Sequence, residues 1–128
     1  MAEHLKFTED HLWVRVNGKR ARIGLSDYGQ DELGEIIAVE LPDEGDGLEK
    51  GESFGEIESV KTVSDLVAPL SGRVLATNSD LEDHPALVND DPYHEGWLVE
   101  IELSDKDEVE ELLDPEEYEE FSGGEEDE

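Results

Sequence analysis

Carboxylates outnumber cationic side chains 38 to nine in this chain, a formal net charge of −29. Repulsion at that density opposes compaction, and a chain with nothing to offset it stays disordered. A fold therefore needs apolar residues spaced so regularly that their burial outweighs the repulsion. Apolar residues make up only 35% of the 128, but they alternate. A chain of this length fits one domain and can bury roughly two thirds of its unfolded surface. The alternation runs through residues 1–121, which we read as the domain. "SGGEEDE" at 122–128 is Gly-rich and acidic and reads as a disordered tail.

The charge also limits partners. Phosphate backbones and anionic membranes would be repelled, so neither is expected. Two readings fit the excess: adaptation to molar salt, where the screening length falls to about 3 Å, or an acidic interaction module. The carboxylates are spread along the whole chain, which favours the first. There is no cysteine, so disulfides, thiolate metal sites and cysteine nucleophiles are excluded. "MAEHLKFTED" has no apolar core of signal-peptide length, and no run approaches the ~18 apolar residues of a membrane span. A cytoplasmic monomer is expected.

Strand signals dominate. "HLWVRVNGKRARIGLS" reads as a hairpin turned at Asn17-Gly18, and it carries Arg15, Lys19, Arg20 and Arg22. "SDYGQDELG" reads as a short helix capped by Ser26 and stopped at Gly34. "EIIAVELP", "SFGEIESV", "VSDLVAP", "GRVLATN" and "WLVEIELS" read as strands, the last with Leu98 and Glu100 on one face. "DEGDGLEKGE" reads as a turn region, and 79–96 as a long connection with one helical turn. Ser104 is placed to cap a helix presenting Val109, Leu112 and Leu113, and Asp114-Pro115 to start another with Tyr118 and Phe121 on one face. "GEIIAVEL" from Gly34 aligns without gaps with "GRVLATNS" from Gly72, and a second strand follows each. Chance similarity explains so short a match as well as a repeat of two β units does.

Lys61 stands out against this background. It is one of five lysines and sits between Val60 and Thr62, inside an apolar, strand-like segment flanked by Glu56, Glu58 and Asp65. It falls at the tip of a hairpin bounded by Gly51 and Gly72. A solvated counter-charge is the ordinary explanation. Display for covalent modification is the other, and the stiff flanks Val60, Val63, Leu66 and Val67 favour it.

"FGEIESVKTVSDLVAPLSGRV" resembles the lipoyl-lysine segment of the glycine cleavage system H-protein family. "HLWVRV", "IGLSDYGQDELGEIIAVELPDEGD", "LVNDDPYHEGWLVEIELSD" and "ELLDPEEYEEF" extend the resemblance over about residues 5–121. The Val60-Lys61-Thr62 context differs from the Met-Lys-Met of biotin carriers and the Asp-Lys-Ala of 2-oxo acid dehydrogenase lipoyl domains. Family members often read His-Glu-Trp where this chain reads His11-Leu12-Trp13. If that Glu helps hold the loaded arm in its cleft, Leu12 cannot, and Asp10 and Glu9 are the nearby carboxylates able to replace it.

The resemblance implies a mainly β, lipoyl/biotinyl-type flattened barrel sandwich with short peripheral helices and a C-terminal helix. It implies a carrier rather than an enzyme, with lipoate in amide linkage on Lys61 and Asp65 as an arm-cleft contact to the aminomethyl cargo. Implied partners are the pyridoxal-phosphate-dependent glycine decarboxylase, the tetrahydrofolate-dependent aminomethyltransferase, dihydrolipoamide dehydrogenase, and a lipoate ligase or lipoyl transferase. Sulfur chemistry in a cysteine-free chain is consistent with sulfurs supplied by a cofactor. A lipoyl-relay protein of the same fold and an unmodified acidic interaction module remain as alternatives. His4, His11, His84 and His94 show no metal-ligand spacing, and no Ca²⁺-loop or phosphate-cradling pattern occurs. "DDPYHEGW" at 90–97 reads as a packed loop anchored by Tyr93 and Trp97.

Overall fold

In a computed structural model the described residues are 5–8, 10–118 and 120, with Lys106 described by its backbone alone. His4, Glu9, Phe121 and the segment 122–128 lie outside them, and with them the disorder expected of the tail and the face shared by Tyr118 and Phe121. The strands are β1 Leu5–Phe7, β2 Leu12–Asn17, β3 Arg20–Leu25, β4 Ile36–Glu40, β5 Gly47–Leu48, β6 Ser53–Ser59, β7 Val63–Val67, β8 Gly72–Thr77 and β9 Val99–Leu103. Helix α1 spans Asp27–Leu33, α2 Asp80–Asp83 and α3 Leu87–Asp90, and a 3₁₀ helix spans Lys106–Glu111. The strands form two antiparallel sheets, one ordered β1-β2-β3-β9-β8-β5 and the other β4-β6-β7. The architecture is the mainly β sandwich with short helices that the sequence implied.

Strand alternation supplies the core. Val14, Ile23 and Val99 fall in one cross-strand row of the larger sheet, and Ala21, Ile101 and Val74 in the next; all are buried. The smaller sheet contributes Ile36, Phe54, Ile57 and Leu66 to the same core. Each such side chain, fully buried, contributes roughly 1.5–3 kcal/mol.

The two β units of the weak repeat are built alike. β4 pairs with β6, and the register shifts between Ile36 and Ala38; β8 pairs with β9, and the register shifts between Val74 and Ala76. The gapless alignment equates those two positions. Each unit therefore bulges at the same residue, Ile37 in one and Leu75 in the other, which argues for a real repeat over a chance match.

The outer face of the larger sheet is also covered. Trp13 is opposite Gly24, and a Cβ on Gly24 would stand 2.6 Å from the indole, so the ring lies flat over the glycine. The Trp13 Nε1–H donates to Pro92 O at 2.8 Å, and Tyr93 packs 6.0 Å away. Stretch 90–97 is thus the packed loop expected, and its role is to cover Trp13. The basic hairpin residues serve the same face: Arg15 lies 4.9 Å over the Trp13 ring and Arg22 lies 4.5 Å over Trp97.

Several expectations need correction. β1 and β5 were not anticipated: Leu5–Phe7 is too short to show a pattern, and Gly47–Leu48 pairs with β8 inside a Gly-rich turn region. The connection at 79–96 holds two short helices rather than one turn. In β9, Val99, Ile101 and Leu103 face the core, Glu100 faces outward, and Leu98 is buried just before the strand. The segment after Ser104 is a 3₁₀ helix capped by Asp105, whose side chain accepts from Asp107 N at 3.0 Å. Four acidic residues in that turn, Asp107, Glu108, Glu110 and Glu111, weaken a longer α-helix there. Helical backbone resumes at 115–118 as expected, with Asp114 and Glu117 capping each other through backbone N–H groups at 2.8 and 3.0 Å.

Glu40, Glu56 and Asp65 form one cross-strand row of three exposed carboxylates on the smaller sheet. Like charges directly opposite one another destabilise a sheet. Raising KCl from about 0.05 M to about 2 M is expected to raise the thermal midpoint by roughly 10 °C, since ~1 kcal/mol shifts a domain of this size by about 4 °C. Glu56→Gln removes the middle of the row and should shrink that rise. Thermal denaturation of both proteins across the salt series measures it, and a midpoint indifferent to KCl would refute it.

Candidate functional site

The smaller sheet ends in a tight turn, and Lys61 is at its apex. Ser59 closes the turn by donating its N–H to Thr62 O at 2.8 Å. Its buried hydroxyl accepts from Lys61 N at 3.1 Å and from Thr62 N at 3.2 Å. Val60 N donates to Glu35 O at 3.0 Å, which ties the turn to the segment between α1 and β4. One serine side chain thus fixes the backbone on which the lysine stands, as Ser hydroxyls do in local turns. The serine was visible in the Glu-Ser-Val-Lys run, but its role was not anticipated.

Lys61 itself is exposed. Among the described residues no carboxylate lies within ion-pairing distance of its Nζ. Its aliphatic stem crosses Gly34: a Cβ there would come within 3.1 Å of Lys61 Cε and 3.8 Å of Nζ. Gly34 has φ +87, a conformation that favours glycine, and its N–H donates to Gln30 O to end α1. Asn89 of α3 holds this corner. Its side-chain amide donates to Gly34 O at 2.9 Å and to Gln30 Oε1 at 2.8 Å, and its carbonyl oxygen accepts from Ile36 N at 2.8 Å. No local pattern reveals Asn89, because its partners lie more than 50 residues away.

Beside this corner is a cleft of about 110 Å³, lined by Asp10, His11 and Leu12, by Gly29, Glu32 and Leu33 of α1, and by β7 from Ser64 to Val67. The chain passes directly from Leu33 in the cleft wall to Gly34 under the lysine. Asp65 lies on the cleft, four residues beyond Lys61, and is exposed. Asp10 and Glu32 give the cleft two more carboxylates. Leu12 is 1% exposed and belongs to the core. The structure therefore brings Asp10 and Asp65 to one cleft and puts Lys61 at its edge rather than inside it.

One wall of the cleft is strained. His11 has φ +69, uncommon for a residue with a Cβ. Thr8 Oγ1 accepts from Asp10 N and Leu12 N, both at 3.2 Å, and holds the turn. His11 Nδ1 shares a 2.8 Å hydrogen bond with Tyr118 OH, which shares another of 2.7 Å with Ser26 Oγ. Ser26 Oγ also accepts from Gly29 N at 3.0 Å, the cap expected for α1. Behind the wall, burial raises the Tyr93 phenol above its ordinary 10.0, outweighing the opposing hydrogen bond from Asp27 N. The contribution of the neutral phenol to stability is full below pH 10 and is lost as pH rises through the folded value. His84 and His94 are exposed and away from the cleft, and the described residues hold no cluster of three or more potential metal ligands.

A lysine on a rigid apex beside a small acidic cleft suits a tethered group with a resting place. The chain matches the family model described as "Glycine cleavage H-protein" over residues 5–125. The chain belongs to the glycine cleavage H-protein family. It is similar to the glycine cleavage system H protein of Staphylococcus saprophyticus, 50% identical over 119 residues that cover 93% of this chain and 94% of that protein. It is also similar to the glycine cleavage system H protein of Halalkalibacterium halodurans, 49% identical over 121 residues, 94% of each. Among solved structures it is similar to a glycine cleavage system H protein from Mycobacterium marinum, with a TM-score of 0.87 and 36% identity over 96% of this chain and 99% of that one. H-proteins carry lipoate covalently on a lysine, and this chain is accordingly the lipoyl carrier of the glycine cleavage system, not a catalyst. Its partners are the enzymes of that system. No described helix is long and apolar enough to cross a membrane.

Removing the Ser59 hydroxyl tests the apex. Ser59→Ala should lower the thermal midpoint by a few degrees, corresponding to about 1 kcal/mol for the lost hydrogen bonds. It should also speed exchange of the Lys61 and Thr62 amide hydrogens by on the order of tenfold. Unchanged exchange protection at those two amides would show that the backbone alone holds the turn.

Proposed function

We propose that Lys61 is the lipoylated residue, and that the cleft beside it holds the cargo amine against Asp65. What supports this most is the exposed Lys61 amine, unpaired among the described residues, at an apex whose backbone is fixed by Ser59. A rigid apex presents the amine to an acylating enzyme and keeps the carrier's own backbone out of partner active sites. The cleft fits the far end of such a group. Its volume of about 110 Å³ is somewhat below the ~150 Å³ of an apolar cavity that takes up a benzene ring. Its walls are Leu12, Leu25, Leu33, Ile57 and Leu66, with Asp10, Glu32 and Asp65 as the charges.

When attached, lipoate supplies the disulfide that accepts an aminomethyl group. The chain's residues bind and shield. Asp65 faces a protonated amine with an opposite charge, and the apolar walls keep water from it. Asp10 takes the place of the carboxylate that Leu12 cannot supply. The tether keeps the cargo at high effective concentration for each partner, within the reach of the arm. In this scheme a lipoate ligase or lipoyl transferase loads Lys61. Glycine decarboxylase then delivers the aminomethyl group, the tetrahydrofolate-dependent aminomethyltransferase removes it, and dihydrolipoamide dehydrogenase restores the disulfide. The carrier acts as a monomer in the cytoplasm. The charge excess is read as salt adaptation, supported by the unrelieved row Glu40–Glu56–Asp65.

Lys61→Arg keeps the charge but offers no acylatable amine. Intact-mass measurement should find no lipoyl adduct, and glycine-dependent activity reconstituted with the partner enzymes should fall to background while the fold persists. A lipoyl adduct on that variant would sink the assignment. Asp65→Asn, lipoylated normally, should shorten the lifetime of the amine-loaded carrier several-fold. A decay rate equal to that of the unaltered carrier would remove Asp65 from the cargo site.

A further inference from the structure

Among the described residues, the large hydrophobic side chains left exposed are Ile37 at 45%, Val60 at 61% and Val63 at 56%. All three border Lys61. Val60 precedes it in the turn. Val63 opens β7 opposite Glu58. Ile37 follows Ile36, which pairs with Ser59 at the base of the same turn. Among the described residues of this acidic chain, large apolar side chains are exposed in one place, around one lysine.

The exposure of Ile37 has a specific cause. The register shift between Ile36 and Ala38 leaves Ile37 unpaired in the ladder, and a bulge re-aims the side chain it carries. Leu75, the matching bulge residue of the other β unit, is half-buried. The same device covers its residue in one unit and displays it in the other, and the unit that displays it carries the lysine.

Charge narrows the partner. β4, β6 and β7 contain no Lys or Arg. Glu35, Glu40, Glu56, Glu58 and Asp65, all exposed, flank the apolar residues. A surface complementary to this one has an apolar contact surrounded by cationic side chains. The bare lysine is short. An enzyme acting on its amine must bring its own body against the apex, whereas an enzyme acting later meets the end of an arm and can stand further off. Three side chains make a small patch, of the size suited to a transient complex that must release its product.

We propose that Ile37, Val60 and Val63 are the docking surface for the enzyme that acylates Lys61, a partner presenting an apolar contact ringed by basic side chains. The proposal rests on Lys61 being the acylated residue.

Ile37→Thr combined with Val63→Thr tests it, because both substitutions keep the β-branched shape and remove the apolar character. Unmodified carrier is incubated with purified lipoate ligase, lipoate and ATP. The double variant should lose on the order of tenfold in kcat/KM for the carrier, chiefly through KM, with its thermal midpoint retained. Ile37→Val with Val63→Ile should restore it. Once fully lipoylated, the double variant should be reoxidised by dihydrolipoamide dehydrogenase at the unaltered rate. An unchanged kcat/KM for acylation overturns the docking surface, and so does an equal loss in both reactions. Failure of the unsubstituted carrier to be acylated at Lys61 would instead overturn the modification site.

Discussion

Two antiparallel sheets pressing their alternating apolar residues together hold this chain against its own charge. The rows Val14–Ile23–Val99 and Ala21–Ile101–Val74 face Ile36, Ile57 and Leu66 across the sandwich. Everything polar is arranged around that contact. Carboxylates occupy the outward positions of the same strands, because inward positions would have to desolvate them. The few cations are used economically: Arg22 reaches both Glu100 at 3.6 Å and the Trp97 face, and Arg73 reaches Glu102 at 3.4 Å. Outside the sheets, Lys50 pairs with Glu111, while Glu108 accepts from the backbone and hydroxyl of Ser71, so the 3₁₀ helix is fastened at its middle and at its C-terminal end.

The corner around Lys61 depends on this frame but is built from different interactions. The sandwich positions β6 and β7; the apex between them is set by Ser59, Gly34 and Asn89 through hydrogen bonds and close approach. The same separation of roles appears at the cleft. Its walls are core residues such as Leu12 and Ile57, whereas its charges, Asp10, Glu32 and Asp65, lie at the rim where water relieves them.

How much of this was legible in the sequence follows from the range of the interactions. The β2–β3 hairpin was readable because Asn17-Gly18 and the alternation around it are local. Helix α1 was readable for the same reason, since Ser26 and Gly34 bracket it. The expectations for Lys61 and Asp65 rest on a resemblance carried by a contiguous motif. The two-residue strand β5 was not readable, because it exists only where β8 passes beside it. The part played by Asn89, and the burial of Trp13 beneath Pro92 and Tyr93, depend on partners more than 50 positions away. The 3₁₀ helix was misread as an α-helix because the i, i+3, i+4 spacing of Val109, Leu112 and Leu113 fits one, while the acidic run that opposes it carries no periodic signal.

The contact between Tyr118 and Ser26 spans 92 positions of sequence, and the antiparallel bridge between Phe7 and Leu113 spans still more of the chain. The turn that carries Lys61, by contrast, is closed by local hydrogen bonds among residues 59 to 62. A chain emerging from the ribosome can thus close the lysine turn before the distant partners of its N-terminal strand have been made. The strained His11 wall and the cap of α1 acquire their tyrosine only after the strands of both sheets have been added. The turn that bears the lysine is made early, and the cleft beside it is finished late.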